Sequence, residues 1–198
     1  MARRGNRRPQ DHFGHRARKE GYPARSVYKL QEIDRRLGLF RPGQRVLDLG
    51  AAPGSWSLFA GERVGPSGVV VGIDRQEITT GAPPNVRFLH LDLETATPDA
   101  LAELGPFDVA LSDMAPRTSG QRQRDQYLSF ELYMLALRTA EPLLVPGGRF
   151  VGKIFQGAEF EQARAATARL LRTVRIIKPE ASRRESYEIF IAGSKPEH

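Results

Sequence analysis

The chain of 198 residues has no cysteine, which excludes a disulfide framework and any thiolate metal site. Its four histidines are scattered without the spacing of a metal site, so we expect no metal cofactor: His12, His15, His90 and His198. There is no apolar run of about eighteen residues, and no apolar segment follows the basic amino terminus. These absences predict a cytoplasmic chain of one domain, without a membrane anchor, that is stabilised by core packing alone.

Basic residues are concentrated at the amino terminus. Residues 1–25 contain eight arginines and lysines against two acidic residues, and so carry six of the seven net positive charges of the chain. Such a segment cannot bury enough apolar surface to fold alone, and its charge suits a polyphosphate backbone. We therefore predict a basic, partly disordered RNA-binding arm over residues 1–24, followed by one domain over residues 25–195. A solubilising tail is the alternative interpretation of the arm.

Strand-like and helix-like segments alternate along the rest of the chain. The strand-like segments are residues 45–49, 69–74, 86–91, 107–112, 149–154, 173–178 and 187–192. One helix is predicted from the cap residue Ser26 to about Leu37, with Gly38 as its stop. Connections of helical length make the first six strands parallel, whereas the last two strands are too close for a crossover. The predicted fold is α/β, with a mostly parallel seven-stranded sheet and an antiparallel last strand.

The first strand leads into a glycine-containing turn, Gly50 to Trp56, and the second strand ends at Asp74. Glycines at a strand-to-helix turn let the backbone approach a ligand, and Asp74 can accept hydrogen bonds from both hydroxyls of a ribose. The turn has the spacing G-x-x-x-G and lacks the G-x-G-x-x-G that brings a helix against a pyrophosphate. The pattern therefore favours S-adenosylmethionine, which has no phosphate, over NAD.

Ligands of open α/β sheets bind beyond the carboxyl ends of the parallel strands. Five charged residues fall at or near those ends: Asp48, Asp74, Asp92, Asp113 and Lys153. An antiparallel last strand would bring Glu185 to the same edge. Any one of these carboxylates could be a solvated turn residue. Lys153 is harder to explain in that way because it lies in an apolar strand, where an ammonium group needs a carboxylate partner, and Asp113 is the expected one.

Five segments carry a resemblance to a known family: Gly21–Leu30, Asp48–Trp56, Ser112–Pro116, Gly152–Gly157 and Ser182–Tyr187. They resemble the FtsJ-like ribosomal RNA 2′-O-methyltransferases, which modify 23S RNA in bacteria. The resemblance runs from about Asp11 to Lys195 and implies the class I, Rossmann-like methyltransferase fold with an antiparallel seventh strand. Two features depart from the family pattern. Ser55 stands where many relatives have a second glycine, and the loop Arg117–Asp125 is more basic than usual.

The resemblance also implies roles for individual residues. The family's Lys-Asp-Lys-Glu tetrad maps onto Lys29, Asp113, Lys153 and Glu185. Glu188 competes for the last position, but Glu185 has the family's spacing of two before the tyrosine. The implied cofactor contacts are Gly54 and Trp56 in the turn, Asp74 at the ribose, Asp92 at the adenine amine and Asp113 near the methionine end.

The predicted reaction is attack of a ribose 2′-oxygen on the methyl carbon of S-adenosyl-L-methionine, which leaves S-adenosyl-L-homocysteine and requires no metal. Lys153 would either take the proton as a neutral amine or, still charged, steer the oxygen and stabilise its developing charge.

The resemblance implies as substrate a uridine of 23S ribosomal RNA in the large ribosomal subunit, and we expect no obligate protein partner. The alternatives are a transfer RNA or another RNA as substrate, and a non-catalytic ribosome-assembly factor that binds RNA. A nicotinamide oxidoreductase would leave Lys29 and Glu185 without a role.

Overall fold

The computed structural model describes residues 12–182 and 186–197. Helices and strands alternate along most of the chain. In chain order the elements are α1 (His12–Lys19), α2 (Val27–Leu37), β1 (Arg45–Leu49), α3 (Ser55–Val64), β2 (Val69–Asp74), β3 (Val86–His90), α4 (Pro98–Ala102), β4 (Phe107–Ser112), α5 (Arg122–Leu143), β5 (Leu144–Phe155), α6 (Phe160–Leu170), β6 (Arg172–Ile177) and β7 (Glu188–Ser194). Within the described residues, none of the helices combines the length and the apolar composition needed to cross a lipid bilayer.

The strands form one seven-stranded sheet in the order β3-β2-β1-β4-β5-β7-β6. The pairs among β1 to β5 are parallel, whereas β7 pairs antiparallel with both β5 and β6. Because β7 is antiparallel to both neighbours, β6 runs in the same direction as β5. The predicted α/β fold with six parallel strands and an antiparallel last strand is thus confirmed. The carboxyl ends of the central parallel strands and the start of β7 meet at one edge of the sheet.

Each face of the sheet is covered by helices, because successive side chains of a strand point to opposite faces. Val46 of β1 packs in a cluster that includes Ile33 of α2 and Phe59 of α3. Its neighbour Leu47 packs in a second cluster that includes Leu137 of α5 and other side chains of α5 and α6. The strand side chains on the Val46 face therefore point toward α2, the helix that carries Lys29.

Both ends of α2 lie where they were predicted, but the interaction at its amino-terminal end differs from the expected cap. Gly38 ends the helix with φ +60° and ψ +53°, and its N–H donates to the carbonyl of Asp34, as expected for a glycine stop. Ser26 precedes the helix but makes no side-chain capping bond. Instead, its carbonyl accepts a hydrogen bond of 2.9 Å from the indole N–H of Trp56, which ties α2 to α3.

Residues 12–24 differ from the partly disordered arm that the composition predicts. His12–Lys19 form α1, and Ala17 on this helix is completely buried. Phe13 packs edge-on against Tyr28 with 5.8 Å between ring centroids, and the guanidinium of Arg16 lies 5.1 Å from the centre of the same Tyr28 ring. These tertiary contacts hold the basic helix on the domain. Residues 1–11 of the predicted arm lie outside the described part of the chain.

Candidate active site

The turn after β1 folds back onto the end of β2. Gly50 has φ +76°, a left-handed conformation that favours glycine, and its N–H donates to the carbonyl of Ile73 at 2.8 Å. The N–H of Ala51 donates to the same carbonyl at 3.0 Å. Gly54, at φ +107°, then leads into α3. This path leaves open space beyond the carboxyl ends of β1 and β2.

A cavity of about 290 Å³, called the first cavity below, occupies that space. Asp74 lies on its wall and accepts hydrogen bonds from the backbone amides of Ala52 at 2.9 Å and Gln76 at 2.8 Å. Asp92 and Asp113 line the same cavity. Its other wall residues include the apolar side chains Ile73, Leu91, Met114, Leu132 and Leu135. Carboxylate acceptors beside apolar walls fit a nucleoside, which has hydroxyl donors on its ribose and an amine donor on its flat base.

Two of the predicted cofactor residues do not line the first cavity. The indole of Trp56 is buried, donates to Ser26 and stacks on Phe190 with 5.7 Å between ring centroids. A side chain added at Gly54 would meet the ring of Phe88. Contacts of Gly54 and Trp56 with the cofactor therefore stay predictions. They would be made by backbone groups at the first turn of α3, where amide groups lack intrahelical partners.

Asp48 lies behind the turn, is fully buried and accepts a 2.6 Å hydrogen bond from the hydroxyl of Ser57. Burial raises the pKa of Asp48 to about 7, the Ser57 hydrogen bond opposes this shift, and the negative charges of Asp113 and Asp74 add to it. Asp48 is therefore partly protonated at neutral pH. It anchors α3 to the end of β1 and has no place on the wall of the first cavity.

Two lysines and two carboxylates meet where β4 and β5 end; we call Lys29, Asp113, Lys153 and Glu188 the lysine–carboxylate cluster. Lys153 projects from β5 and is only 4% exposed. Its Nζ lies 2.9 Å from Oδ1 of Asp113 and donates to the Asp113 backbone carbonyl at 2.6 Å. The ion pair expected between these two residues is present.

Lys29 and Glu188 complete the cluster. The Nζ of Lys29 lies 2.9 Å from Oε2 of Glu188 and 3.7 Å from Oδ1 of Asp113. Oε1 of Glu188 lies 3.9 Å from the Nζ of Lys153. Two positive and two negative charges balance, which a buried group of this kind requires. Among residues 12–182 and 186–197, no three histidine or carboxylate side chains are arranged to hold a metal ion.

Glu185, the carboxylate favoured from the sequence, lies outside the described residues. Among the described residues, its competitor Glu188 contacts both lysines. The pairing of β7 with β5 explains why: Glu188 lies opposite Phe155 and Phe190 lies opposite Lys153. Glu188 is thus the diagonal neighbour of Lys153 on one face of the sheet. A charged residue at the first position of an apolar strand was the signal in the sequence.

A second cavity of about 510 Å³ lies on the other side of the lysine–carboxylate cluster. Lys29, Glu188 and Phe155 line it, whereas Asp113 lines the first cavity. The cluster therefore forms a charged wall between the two cavities. A hydroxyl group entering from the second cavity would reach the lysines next to a ligand held in the first.

Comparison with known proteins assigns the chain to a family. The FtsJ-like methyltransferase family model matches residues 22–195, so the chain belongs to this family. Two relatives, both named ribosomal RNA large subunit methyltransferase E, come from Sorangium cellulosum and Nitratidesulfovibrio vulgaris. The first is 52% identical and covers 93% of this chain and 87% of the relative; the second is 53% identical and covers 91% and 92%.

A solved structure gives the same result for the fold. A Plasmodium falciparum protein described as a ribosomal RNA methyltransferase superposes with a TM-score of 0.76 at 25% identity. The match covers 88% of this chain and 98% of that one. The seven-stranded sheet with its antiparallel last strand is therefore the methyltransferase fold, as the resemblance of the sequence implied.

Proposed function

We propose that this chain transfers the methyl group of S-adenosylmethionine to a ribose 2′-oxygen of large-subunit ribosomal RNA. The observation that carries the proposal is the position of the lysine–carboxylate cluster between two cavities, one suited to a nucleoside and the other open to a substrate. Membership of the FtsJ-like methyltransferase family supports methyl transfer. The names of the relatives support ribosomal RNA as the substrate.

The first cavity would hold the cofactor through its carboxylates. S-adenosylmethionine, when bound, supplies an electrophilic methyl carbon attached to a sulfonium. Asp74 would accept hydrogen bonds from the ribose hydroxyls, and Asp92 from the adenine amine. Asp113 would lie near the positively charged methionine end, where a negative charge is favourable.

The lysine–carboxylate cluster would prepare the attacking oxygen. A ribose hydroxyl is a poor nucleophile, so it must lose its proton or be strongly polarised as the new bond forms. Lys153 would either accept that proton as a neutral amine or, still charged, steer the oxygen and stabilise its developing negative charge, and Asp113 fixes the Lys153 Nζ through two contacts. We assign the fourth position of the family's tetrad to Glu188, which joins Lys29 to Lys153. Placing the hydroxyl in line with the bond that breaks supplies much of the remaining rate enhancement.

The finer assignments rest on the same argument. The target is a uridine of 23S RNA, the protein acts in the cytoplasm on the large subunit or its RNA, and no protein partner is needed. Labelled S-adenosylmethionine, incubated with purified large subunits, free 23S RNA and transfer RNA, tests these points. Label should enter one ribose of the large-subunit RNA. Label in transfer RNA alone would contradict the substrate, and binding without label would favour an assembly factor.

Lys153→Ala should lower the methyl-transfer rate by a factor of about 100 or more and leave cofactor affinity nearly unchanged. Single-turnover rates with saturating RNA and calorimetry with S-adenosylmethionine measure the two quantities. Lys195→Ala is the matched control, because Lys195 pairs with Glu141 away from both cavities. A rate close to wild type for Lys153→Ala would show that Lys153 only supports Asp113.

A further inference from the structure

The rim of the second cavity carries an exposed aromatic ring that the proposed chemistry does not use. Tyr187 lines this cavity and is 45% exposed. The guanidinium of Arg122 lies over its ring, 3.9 Å from the ring centre. Arg122 covers one face of the ring. The stacked guanidinium and phenol groups therefore lie at the second cavity, which is also lined by Lys29 and Glu188.

Hydrogen bonds hold the backbone near both members of this pair. The carbonyl of Tyr187 accepts a 2.8 Å hydrogen bond from the backbone of Gln156, which follows β5. Arg122 begins α5, and the same turn of helix contains Asp125, whose Oδ1 accepts from the amide and the hydroxyl of Ser119, each at 2.8 Å. The backbone N–H and then the hydroxyl of Ser119 hold the pKa of Asp125 below its usual range. The loop before α5 is thus tied to the helix that carries Arg122.

The depth of the cluster determines what such a surface could bind. Lys153 is almost completely buried, and its neighbour Glu188 lines the second cavity, so we expect the ribose to approach Lys153 through this cavity. A nucleotide that enters a pocket leaves its stack and is separated from its neighbouring bases. Proteins that take bases out of a stack replace those neighbours with aromatic rings or arginine guanidinium planes.

We propose that Tyr187 and Arg122 form the stacking surface for the base of the target nucleotide. This inference rests on the proposed function and adds the group that holds the substrate in place. Tyr187 and Arg122 are positioning residues, because they hold the base while the cluster acts on the ribose. Stacking is tolerant of base identity. This surface therefore determines how deeply the target nucleotide enters the second cavity and how it is oriented, more than which base is preferred.

The test compares variants that separate stacking from charge. Tyr187→Phe keeps an aromatic ring, Tyr187→Leu removes it, and Arg122→Lys keeps the charge but loses the planar group. Tyr127→Leu is the matched control, since Tyr127 is an exposed tyrosine outside the second cavity. Two quantities are measured: affinity for a fluorescein-labelled single-stranded RNA of mixed sequence, at several salt concentrations, and kcat/KM for methyl transfer to large-subunit ribosomal RNA.

Tyr187→Leu should weaken RNA binding by roughly 5- to 150-fold, the range expected for one stacked base. Its kcat/KM should fall with it, while Tyr187→Phe and Tyr127→Leu stay near wild type. The slope of log affinity against log salt should not change in Tyr187→Leu, since the substitution leaves every bound phosphate with its basic partner. Arg122→Lys should lose affinity with an unchanged slope.

Three results would overturn the inference. One is wild-type affinity in Tyr187→Leu, and another is equal losses in Tyr187→Phe and Tyr187→Leu. The third is a shallower salt slope in a further variant, Arg122→Gln, which removes the charge; this result would make Arg122 a phosphate-binding residue. A wild-type protein that binds RNA but transfers no methyl group to it would instead contradict the proposed function, and the binding series would still decide on the stacking surface.

Discussion

Glu188 joins the two lysines of the lysine–carboxylate cluster. The Nζ of Lys29 donates to Oε1 of Glu188 at 3.0 Å and lies 2.9 Å from Oε2, and Oε1 also lies 3.9 Å from the Nζ of Lys153. Removing one negative charge from a buried group with two lysines leaves a positive charge without a partner, which is more costly than the removal of the ion pair itself. The balance of charge, more than any one distance, makes this glutamate difficult to replace.

Glu188→Gln should therefore lower the methyl-transfer rate and reduce the free energy of unfolding by roughly 1–3 kcal/mol. Glu185→Gln serves as the comparison and should change neither quantity. Chemical denaturation and single-turnover kinetics with ribosomal RNA provide the measurements. If Glu185→Gln impaired transfer while Glu188→Gln did not, the assignment made from the sequence would be right and the one proposed from the structure wrong.

Asp48 should make stability depend on pH. Its pKa rises from 3.8 to about 7 on folding because burial disfavours the carboxylate. Below pH 3.8 the group is protonated in both states and costs nothing. As pH rises toward 7 the unfolded chain releases the proton first, so stability falls by at most about 1.4 kcal/mol per pH unit, and above about 7 the loss is complete.

Asp48→Asn should remove this dependence. The free energy of unfolding of the variant, relative to that of the wild type, should therefore increase between pH 4.5 and pH 7 and stay constant above pH 7. Denaturant unfolding at pH 4.5, 6 and 8 measures the difference. Asp99→Asn, at an exposed position of α4, provides the control. A constant difference between Asp48→Asn and wild type across this range would show that Asp48 is ionised in the folded protein.

The turn between β1 and α3 depends on the absence of a side chain at Gly50. A Cβ at this position would collide with the side chain of Met114, which lines the first cavity beside Gly50. Gly65, which ends α3 at φ +67°, shares the positive φ but has nothing within 4 Å of an added Cβ. Substitutions at the two glycines therefore distinguish the effect of backbone strain alone, at Gly65, from strain combined with a steric collision, at Gly50.

Gly50→Ala should weaken S-adenosylmethionine binding, because Met114 must move into the cavity, and it should destabilise the fold by about 1 kcal/mol or more. Gly65→Ala should cost roughly 1–3 kcal/mol of stability, because φ +67° with ψ −175° is a conformation that is essentially restricted to glycine, and it should leave cofactor binding intact. Calorimetry and thermal unfolding distinguish the two. Equal cofactor affinity in Gly50→Ala and wild type would mean that the ligand does not lie beside Met114.

Local patterns in the sequence predicted the elements whose structure is decided locally. The apolar runs of β1, β2 and β4 and the glycine stop of α2 are found at the predicted positions. The start of β5 was predicted too late, because Pro146-Gly147-Gly148 indicated a turn, whereas the strand includes these residues in a register shift against β4. α1 was missed because it is stabilised by packing against Tyr28 and the domain, while its own composition is basic.

The site residues that could be predicted from the sequence are those at the ends of predicted strands. Asp74, Asp113 and Lys153 follow from the rule that ligands bind beyond parallel strands, and the structure brings Asp113 and Lys153 together. The choice between Glu185 and Glu188 depends on how β7 is aligned with β5. A shift of one residue would turn every side chain to the other face, and because β7 is buried on both faces its apolar pattern alone does not set that register.

Most of the net positive charge of the enzyme lies on its amino-terminal side, which we predict to face the RNA. The described part of this side, α1, carries Arg16, Arg18 and Lys19 in its last turn. Arg16 and Arg25 each lie over an aromatic ring, Tyr28 and Phe13 respectively. A truncation that removes α1 would therefore disturb the core packing of the domain as well as its charge.

Deletion of residues 1–11 is the cleaner test of the predicted arm, because it removes Arg3, Arg4, Arg7 and Arg8 and leaves α1 in place. RNA affinity should fall, and the slope of log affinity against log salt should become shallower by about 0.7–0.9 for each phosphate that the arm neutralises. Cofactor affinity should stay the same. An unchanged slope on ribosomal RNA would show that the segment only aids solubility.

The position of β7 in the sheet imposes an order on the biosynthesis of the enzyme. β7 follows all other strands in the sequence, yet it lies between β5 and β6. A nascent chain that has emerged only as far as β6 exposes the unpaired edge of β5, and such edges can pair with other chains. Lys29 and Glu188 are 159 positions apart, so Asp113 alone faces the two lysines until this strand inserts and supplies the second negative charge. A chain released before Glu188 would therefore be prone to aggregation and would not simply be a slower enzyme.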